Sequence, residues 1–210
     1  MARKHKVSLF IKYLADKVLS FILLLITSPI FLWVAIRLKL LGEDVFYLQE
    51  RVGHLGKDFF VYKFTTMPKG SEKEGYITTT NDMRPFKFGK FLRKTKINEI
   101  SQLINVLIGN MSFIGPRPLI RTQMAEALNG EEIKEFYTMK PGITGAGSLF
   151  FHHEDALLAH VEEPHQYYRD VIMPKKLELE KQYAENWNLF LDIKIFFLTI
   201  IRVIFSKRNI

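Results

Sequence analysis

The chain has 210 residues, 48% of them hydrophobic, a formal net charge of +8 and no cysteine. This length suits one domain with at most an appendage, and the composition excludes general disorder. The lack of cysteine excludes disulfides, thiolate metal sites and cysteine nucleophiles. The basic surplus favours anionic partners such as phosphorylated substrates or acidic lipids.

The first element is an apolar segment, residues 18–36, that carries no charge. Its length is close to the roughly 20 residues that span a bilayer as a helix. Pro29 removes one backbone donor and predicts a kink, and the hydroxyls of Thr27 and Ser28 can satisfy the carbonyls that it frees. Basic residues flank both ends, so both ends prefer the cytoplasm. We therefore expect a re-entrant membrane helix broken at Ser28 and Pro29, with a kinked single-pass anchor as the alternative.

The middle of the chain predicts an α-rich α/β domain over residues 42–188, after an N-terminal membrane segment over residues 1–41. Short extended runs between Asp44 and Met67, separated by a turn through Gly53 and Gly56, are typical of a hairpin. Residues 68–85 are polar and rich in glycine, proline and threonine, which indicates a surface loop near the functional site.

A helix is predicted from Ile97 to Ile108, ended by Gly109, because its apolar residues recur at helical spacing. Asn98, Gln102 and Asn105 then share the opposite face, with Glu99 in the first turn. Polar groups at a helix N-terminus can form a functional site. Equally, Asn98 can be an N-cap and Glu99 an acid that compensates the helix dipole.

Arg117 lies between Pro116 and Pro118, a rigid turn that can present one guanidinium to a phosphate. The alternative is an arginine that simply faces solvent. The common nucleotide-binding and hydrolase motifs are absent from the sequence. Adjacent His152 and His153 point in different directions on a helix or strand, so we do not expect a metal site there.

The C-terminal stretch Leu189–Phe205 is apolar at helical spacing and ends in basic residues. It predicts an amphipathic helix over residues 189–210 that lies on the membrane surface, with an ordinary core helix as the alternative. Two such membrane elements in a basic chain indicate a monotopic membrane protein.

A set of motifs follows in order along nearly the whole chain. After Ser28 and Pro29 come Gln49-x-Arg51-x-Gly53, Tyr62-Lys63-Phe64-x-Thr66-Met67, Asp82-x-Arg84, Phe91-Leu92-Arg93-Lys94-Thr95, Gln102-Leu103-x-Asn105-Val106-Leu107, Met111-Ser112-x-x-Gly115-Pro116-Arg117-Pro118, Lys140-Pro141-Gly142-Ile143-Thr144-Gly145 and Leu191-Asp192-Ile193-Lys194. Together they resemble the bacterial sugar transferases known as monotopic phosphoglycosyl transferases.

The resemblance implies an enzyme on the cytoplasmic face of the bacterial inner membrane. It would move a phospho-sugar from a UDP-sugar to polyprenyl phosphate, with Mg²⁺, and so initiate the assembly of a glycan such as a capsule, O-antigen, exopolysaccharide or glycoprotein. It implies catalytic residues at Asn98 and Glu99 and Mg²⁺ ligands at Glu99 and Asp82. The substrate-binding residues it implies are Lys63, Arg84, Arg93, Gln102 and Arg117.

The chain departs from the family pattern at the catalytic pair. The family carries an Asp-Glu pair whose Asp is a covalent nucleophile, and this chain has Asn98 and Glu99. An amide cannot attack a diphosphate as a carboxylate does, so a covalent intermediate on Asn98 is excluded. Thr65 replaces a base, Asn110 replaces an acid, and residues 146–148 replace a segment with tryptophan.

Three accounts remain open. The acceptor phosphate attacks directly, with Glu99 holding Mg²⁺ and Lys63, Arg93 and Arg117 offsetting charge. Alternatively, Glu99 is itself the nucleophile, or the chain is a membrane-bound non-enzyme that acts as a binding or regulatory partner. Membrane lipids are expected partners and nucleic acid is not, because the bases are dispersed and no nucleic-acid-binding module occurs. A homodimer is one of the assemblies that the sequence leaves open.

Overall fold

The structure is a computed structural model that describes residues 3–71 and 83–205. Helices dominate it, and its strands form two small sheets, in agreement with an α/β fold rich in helix. The first half contains α1 (Arg3–Leu40), β1 (Phe46–Val52), β2 (Asp58–Phe64), α2 (Lys87–Lys94), α3 (Ile97–Ile100) and α4 (Gln102–Ile108). The second half contains β3 (Ser112–Ile114), α5 (Arg121–Ala127), α6 (Gly130–Phe136), β4 (Gly142–Thr144), α7 (Ala146–Phe150), α8 (Glu154–Leu158), α9 (Pro164–Tyr167), α10 (Met173–Glu185) and α11 (Leu189–Phe205).

The chain divides into two compact units. One comprises residues 1–50 and 60–109, and the other comprises residues 51–59 and 110–210. Two of the boundaries between the units fall inside strands. One lies in β1, between residues 50 and 51, and the other lies in β2, between residues 59 and 60. The predicted segments 1–41, 42–188 and 189–210 follow the membrane elements instead, and this organisation stays a prediction.

Helix α1 is long and apolar enough to cross a membrane over Val7–Leu40. Only 11% of its most apolar 18-residue stretch is buried. Large apolar side chains such as Phe10, Ile26 and Leu32 are more than 60% exposed. A core helix of a water-soluble domain would bury such residues. The exposed surface of α1 therefore agrees with association with a membrane.

Pro29 lies inside α1 without ending it. A proline leaves the carbonyl four residues earlier without its helical donor, and that carbonyl belongs to Leu25. The Ser28 hydroxyl donates to the Leu25 carbonyl at 2.8 Å, and the Thr27 hydroxyl donates to the Leu23 carbonyl at 2.6 Å. The predicted role is confirmed for Ser28, whereas Thr27 bonds to the Leu23 carbonyl, which Pro29 does not free. The helix is continuous here rather than a hairpin, and re-entrance of the chain stays a prediction.

The predicted hairpin is confirmed as the two-stranded sheet β1–β2, whose connection is the short 3₁₀ turn His54–Gly56. In the first unit, Phe64 of β2 joins Val34 and Leu38 of α1 and Leu92 of α2 in one buried cluster. Gly89 lets α2 approach this layer, because a Cβ there would lie 2.0 Å from the Thr66 carbonyl oxygen. Most of the predicted loop 68–85, including Asp82, lies outside the described residues.

The second unit is built around the parallel pair β3–β4, with Ser112 opposite Gly142 and Ile114 opposite Thr144. Helices α5 and α6 form the crossover that a parallel pair requires. A Cβ on Gly142 would lie 2.2 Å from the Gly115 nitrogen, so the two glycine-proline turns meet backbone to backbone. This close approach explains glycine at both positions.

Helix α11 has one buried face and one exposed apolar face. Asp192 and Ile195 are buried, whereas Phe190, Ile193 and Phe197 are exposed by 47% or more. The Asp192 carboxylate accepts hydrogen bonds from the Tyr183 hydroxyl at 2.5 Å and the Trp187 indole at 3.0 Å. The acid thus fixes α11 against α10 and leaves an apolar stripe outside, as an interfacial helix requires.

Candidate active site

Asn98 and Glu99 lie on the short helix α3, which begins after a strained residue. Lys96 is its N-cap and has a left-handed backbone, with φ 59° and ψ 12°. Residues with a side chain adopt this region at a cost of about 1–2 kcal/mol. Asn98 is therefore the second residue of the helix and not its cap, and the capping interpretation of Asn98 is wrong. Glu99 lies in the first turn, as predicted.

The Asn98 side chain carries a buried oxygen with no partner. Its Oδ1 is inaccessible to solvent and makes no hydrogen bond with residues 3–71 or 83–205. An unsatisfied buried acceptor costs about 1–3 kcal/mol. Such an oxygen marks a place where a neighbouring group, a water molecule or a cation can complete the site.

The predicted single helix over Ile97–Ile108 is divided at Ser101 into α3 and α4. The Ser101 hydroxyl donates to the Tyr62 carbonyl of β2 at 2.9 Å, and the Ile104 amide bonds to the Ser101 carbonyl in a tight turn. Gly109 ends α4 with φ 94°, as the sequence predicts. The division ties the segment that carries Asn98 and Glu99 to the hairpin.

Asn105 serves the fold rather than an open site. It is fully buried, accepts a hydrogen bond from the Tyr62 amide at 2.9 Å and donates to the Phe60 carbonyl at 2.7 Å. The expectation of one shared polar face is therefore corrected for Asn105, whose amide completes the backbone bonding of β2. Gln102 is also buried, with 6% of its surface exposed.

The predicted basic residues of the first unit, Lys63, Arg84 and Arg93, are half-buried. Lys63 donates to Gln49 Oε1 at 2.9 Å across the hairpin, which joins two of the sequence motifs. Arg84 donates to the Ser71 carbonyl at 3.3 Å. Arg93 lies in the last turn of α2, two residues before the turn that leads into α3.

Arg117 lies in the second unit, where its turn is held on both sides. Its carbonyl accepts a hydrogen bond from the Tyr137 hydroxyl at 2.8 Å, and the same hydroxyl accepts from the Leu119 amide at 3.1 Å. Pro116 and Pro118 are buried. Burial raises the pKa of Tyr137, which keeps this hydroxyl neutral and able to donate. These hydrogen bonds hold the backbone of the turn on both sides of Pro118.

A cluster of buried charges lies beside this turn. Glu180 on α10 is 2% exposed, and burial raises its pKa to about 7, although the backbone amides of Gly147, Arg117 and Ala146 favour the charged form. Lys176, one helical turn away, forms an ion pair with Glu154 of α8. Burial lowers the pKa of Lys176. Strongly shifted groups of this kind are frequent near functional sites.

Comparison with known proteins identifies the family. The model of the bacterial sugar transferase family matches residues 7–206. The chain belongs to the bacterial sugar transferase family. The predicted resemblance is thereby confirmed.

Relatives of the family show how the chain compares in length. The uncharacterized sugar transferase EpsL of Bacillus subtilis is 35% identical, over 95% of this chain and 90% of its own length. The UDP-glucose:undecaprenyl-phosphate glucose-1-phosphate transferase of Escherichia coli is 34% identical over 96% of this chain. The UDP-N-acetylgalactosamine-undecaprenyl-phosphate N-acetylgalactosaminephosphotransferase of Aeromonas hydrophila is 35% identical over 91% of this chain. The chain spans 42% and 43% of the length of the latter two.

Four buried polar side-chain atoms of the described residues lack a hydrogen bond, and three of them lie at expected departures from the sugar transferase pattern. Within the described residues, buried side-chain atoms without a hydrogen bond are Thr65 Oγ1, Asn98 Oδ1, Ser148 Oγ and Glu180 Oε2. The first three belong to residues that the sequence analysis expects to differ from the family pattern. The fourth faces the glycines that precede Ser148.

The donors on α3 fit Mg²⁺ by their chemistry. Asn98 Oδ1 is a buried oxygen in need of a partner, and the adjacent Glu99 supplies a carboxylate. Mg²⁺ prefers oxygen ligands and is commonly held by one or two carboxylates together with substrate phosphates. Among the described residues no group of three acidic or histidine side chains could hold a metal by itself. The predicted ligand Asp82 lies outside them.

Sequence reasoning missed the buried charges of α10. Met173, Lys176, Glu180 and Tyr183 recur at helical spacing and are all buried. A signal for them exists in the sequence, because Lys176 and Glu180 occupy positions of an otherwise apolar stripe. Charged residues on such a stripe are buried only when they are paired or hydrogen-bonded.

Proposed function

We propose that this protein transfers a phospho-sugar from a UDP-sugar to polyprenyl phosphate, on the cytoplasmic face of the bacterial inner membrane, as the first step of glycan assembly. The family match over residues 7–206 carries this proposal. Relatives whose names state a reaction act on undecaprenyl phosphate and a sugar nucleotide. The exposed apolar surfaces of α1 and α11 support a position at the membrane.

The proposed reaction is a single displacement. An oxygen of the acceptor phosphate attacks the β-phosphorus of the UDP-sugar, the bond between that phosphorus and the bridging oxygen breaks, and UMP leaves. No residue need become covalently bound to the sugar phosphate. Asn98 cannot attack because its nitrogen lone pair is delocalised and its oxygen is uncharged.

The residues of the chain would then bind, orient and neutralise. Lys63, Arg93 and Arg117 offset the charge of the phosphates, and Arg84 and Gln102 contribute to substrate binding. Glu99, with Asp82, would hold Mg²⁺. The bound ion would neutralise the diphosphate. Catalysis would rest on positioning and electrostatics.

The Asn98 amide also favours a second candidate function. A family member without its nucleophile can act as a membrane-bound binding or regulatory partner. A third account, attack by Glu99 itself, would produce a covalent intermediate on Glu99. Turnover and covalent labelling distinguish the three.

The test of the proposal is turnover of the purified, membrane-reconstituted protein with a panel of UDP-sugars and undecaprenyl phosphate. We expect lipid product that requires Mg²⁺ and disappears when the metal is chelated. The Glu99→Ala variant should lose at least about 100-fold in rate, as expected for a metal ligand or a charged group at the reacting centre. Glu50→Ala, at an exposed position of β1, is the matched control and should retain the wild-type rate. If no donor yields lipid product, the proposal is refuted and only the non-enzyme account remains.

A further inference from the structure

Glu180 joins two segments that are far apart in the sequence. Its Oε1 accepts a hydrogen bond from the Arg117 amide at 3.4 Å and from the Gly147 amide at 3.1 Å. The Arg117 amide belongs to the turn of residues 115–118, which we term the arginine turn. The Gly147 amide belongs to residues 145–147, the N-cap and first two residues of α7, which we term the glycine loop. One carboxyl group on α10 therefore holds both segments.

The glycine loop is shaped around this carboxyl group. A Cβ on Gly145 would lie 2.8 Å from both Glu180 oxygens, and a Cβ on Gly147 would lie 3.0 Å from Oε1. Any larger residue would displace the carboxyl group or the loop. The Gly115 amide bonds to the Thr144 carbonyl at 3.0 Å, so the arginine turn and the start of the loop are also joined directly.

The groups that face Glu180 are mostly cations and amides. Arg117 lies on the arginine turn, and Lys176 lies on the same helix as Glu180. Tyr137 follows α6 and stays neutral. Glu154 of α8 is paired with Lys176. The Glu180 carboxylate is therefore buried among positive charge and backbone donors, an environment in which both its charged and its neutral form are accessible near pH 7.

We propose that Glu180 is a positioning residue for Arg117, because its carboxyl group fixes the arginine turn to the glycine loop and so aims the guanidinium at the donor diphosphate. This proposal rests on the proposed function, which makes Arg117 a phosphate-binding residue. Loss of the proton from Glu180 strengthens the hydrogen bonds from both amides, since a charged acceptor forms the stronger bond. Donor binding should therefore tighten as the pH rises through about 7.

The experiment compares wild type with Glu180→Gln, Glu180→Ala and Glu178→Gln. Glu178 lies on the same helix but is exposed, where it accepts from Lys175 and Gln182. Turnover of a UDP-sugar is measured between about pH 6 and pH 8.5, a range in which its diphosphate diester does not titrate. UDP binding is measured by calorimetry at one fixed pH near 8, and thermal unfolding is recorded for every variant.

We expect the donor KM of wild type and Glu178→Gln to fall several-fold across this range, and that of Glu180→Gln to stay flat. Glu180→Ala should raise the donor KM and weaken UDP binding by about tenfold or more, with a smaller change in kcat, because Arg117 is no longer aimed. A general loss of stability would not flatten a pH profile. Folded Glu180→Gln with the wild-type profile, or Glu180→Ala with the wild-type UDP affinity, would overturn the proposal.

The proposed function and this inference fail in different ways. Turnover with an unchanged Glu180→Gln profile refutes the positioning role alone. UDP binding without turnover refutes the transferase alone, and the UDP affinity of Glu180→Ala then decides the positioning role. A wild-type protein that neither binds UDP nor turns over any donor refutes both. If Glu180→Ala does not fold, Glu180→Gln, which keeps the size and one acceptor of the side chain, gives the result.

Discussion

Asn98 is the residue on which the mechanism depends. It is the second residue of α3, beside Glu99, at the position where the resemblance implies a nucleophilic carboxylate, and its Oδ1 is buried without a partner in the described residues. A carboxylate there would be a charged acceptor and would gain far more from a cation than an amide does. The amide thus lowers the local negative charge while keeping the shape of the side chain.

Replacing Asn98 by aspartate tests whether the nucleophile is all that the site lacks. We expect Asn98→Asp, incubated with a radiolabelled UDP-sugar and no acceptor, to become covalently labelled, because an aspartate can attack the β-phosphorus. Wild type should remain unlabelled. Asn188→Asp, a change at an exposed position, is the control for added negative charge. An Asn98→Asp variant that folds, binds UDP and stays unlabelled would show that more than the nucleophile differs.

Glu180 makes stability depend on pH. Its carboxyl has an ordinary pKa of 4.5 when unfolded and a pKa raised to about 7 by burial in the folded protein. The folded state therefore holds the proton more tightly, and the stabilisation is complete below pH 4.5 and is lost as the pH rises through about 7. The full difference is on the order of 3 kcal/mol.

The measurement is the free energy of unfolding by denaturant between about pH 5 and pH 8. Wild type should lose stability over this range, and Glu180→Gln should lose much less because the amide does not titrate. Equal slopes for the two proteins would contradict the raised pKa.

At the scale of elements, the pairing of β3 with β4 in the second unit depends on the close contact between the two glycine-proline turns. Gly142→Ala should destabilise the protein by about 3 kcal/mol, because the new Cβ has no room beside the Gly115 backbone and the β3–β4 pair must shift. Gly130→Ala is the matched control, since a Cβ at Gly130 meets nothing within 4 Å. It should change the free energy of unfolding by less than about 1 kcal/mol. A wild-type denaturation midpoint for Gly142→Ala would refute the close contact.

These elements also show what the sequence can predict. Periodicity and the Gly109 stop locate the α3–α4 segment, and the apolar runs locate the hairpin, because local spacing determines both. The division at Ser101 and the burial of Asn105 depend on Tyr62 and Phe60, some 40 residues away in sequence, with separations of 39, 43 and 45 residues. The stripe of α10 marks Glu180 as buried, but its partners cannot be predicted for the same reason, since they come from two distant turns.

At the scale of the whole molecule, the exposed apolar surfaces of α1 and α11 require a partner that is itself apolar. A bilayer supplies one, and the basic residues at both ends of α1 predict that both ends lie on its cytoplasmic side. The topology is open to a direct test because the chain has no native cysteine. Single cysteines at Arg3 and Lys39 are labelled in intact cells with a maleimide that does not cross the inner membrane.

A re-entrant α1 predicts that both cysteines are protected until the membrane is opened. A cysteine in a periplasmic loop of a co-expressed protein serves as the positive control for labelling. Labelling of one position and not the other would establish a spanning helix and refute re-entrance.

The central claim is transfer without a covalent intermediate, and the release of UMP tests it most directly. Wild-type protein is mixed with Mg²⁺ and a UDP-sugar, with and without undecaprenyl phosphate, and UMP is counted against protein. We predict UMP only when the acceptor is present, in equal amount to the lipid product. One UMP per protein without acceptor would reveal a nucleophile on the chain, and no UMP under either condition would contradict transferase activity.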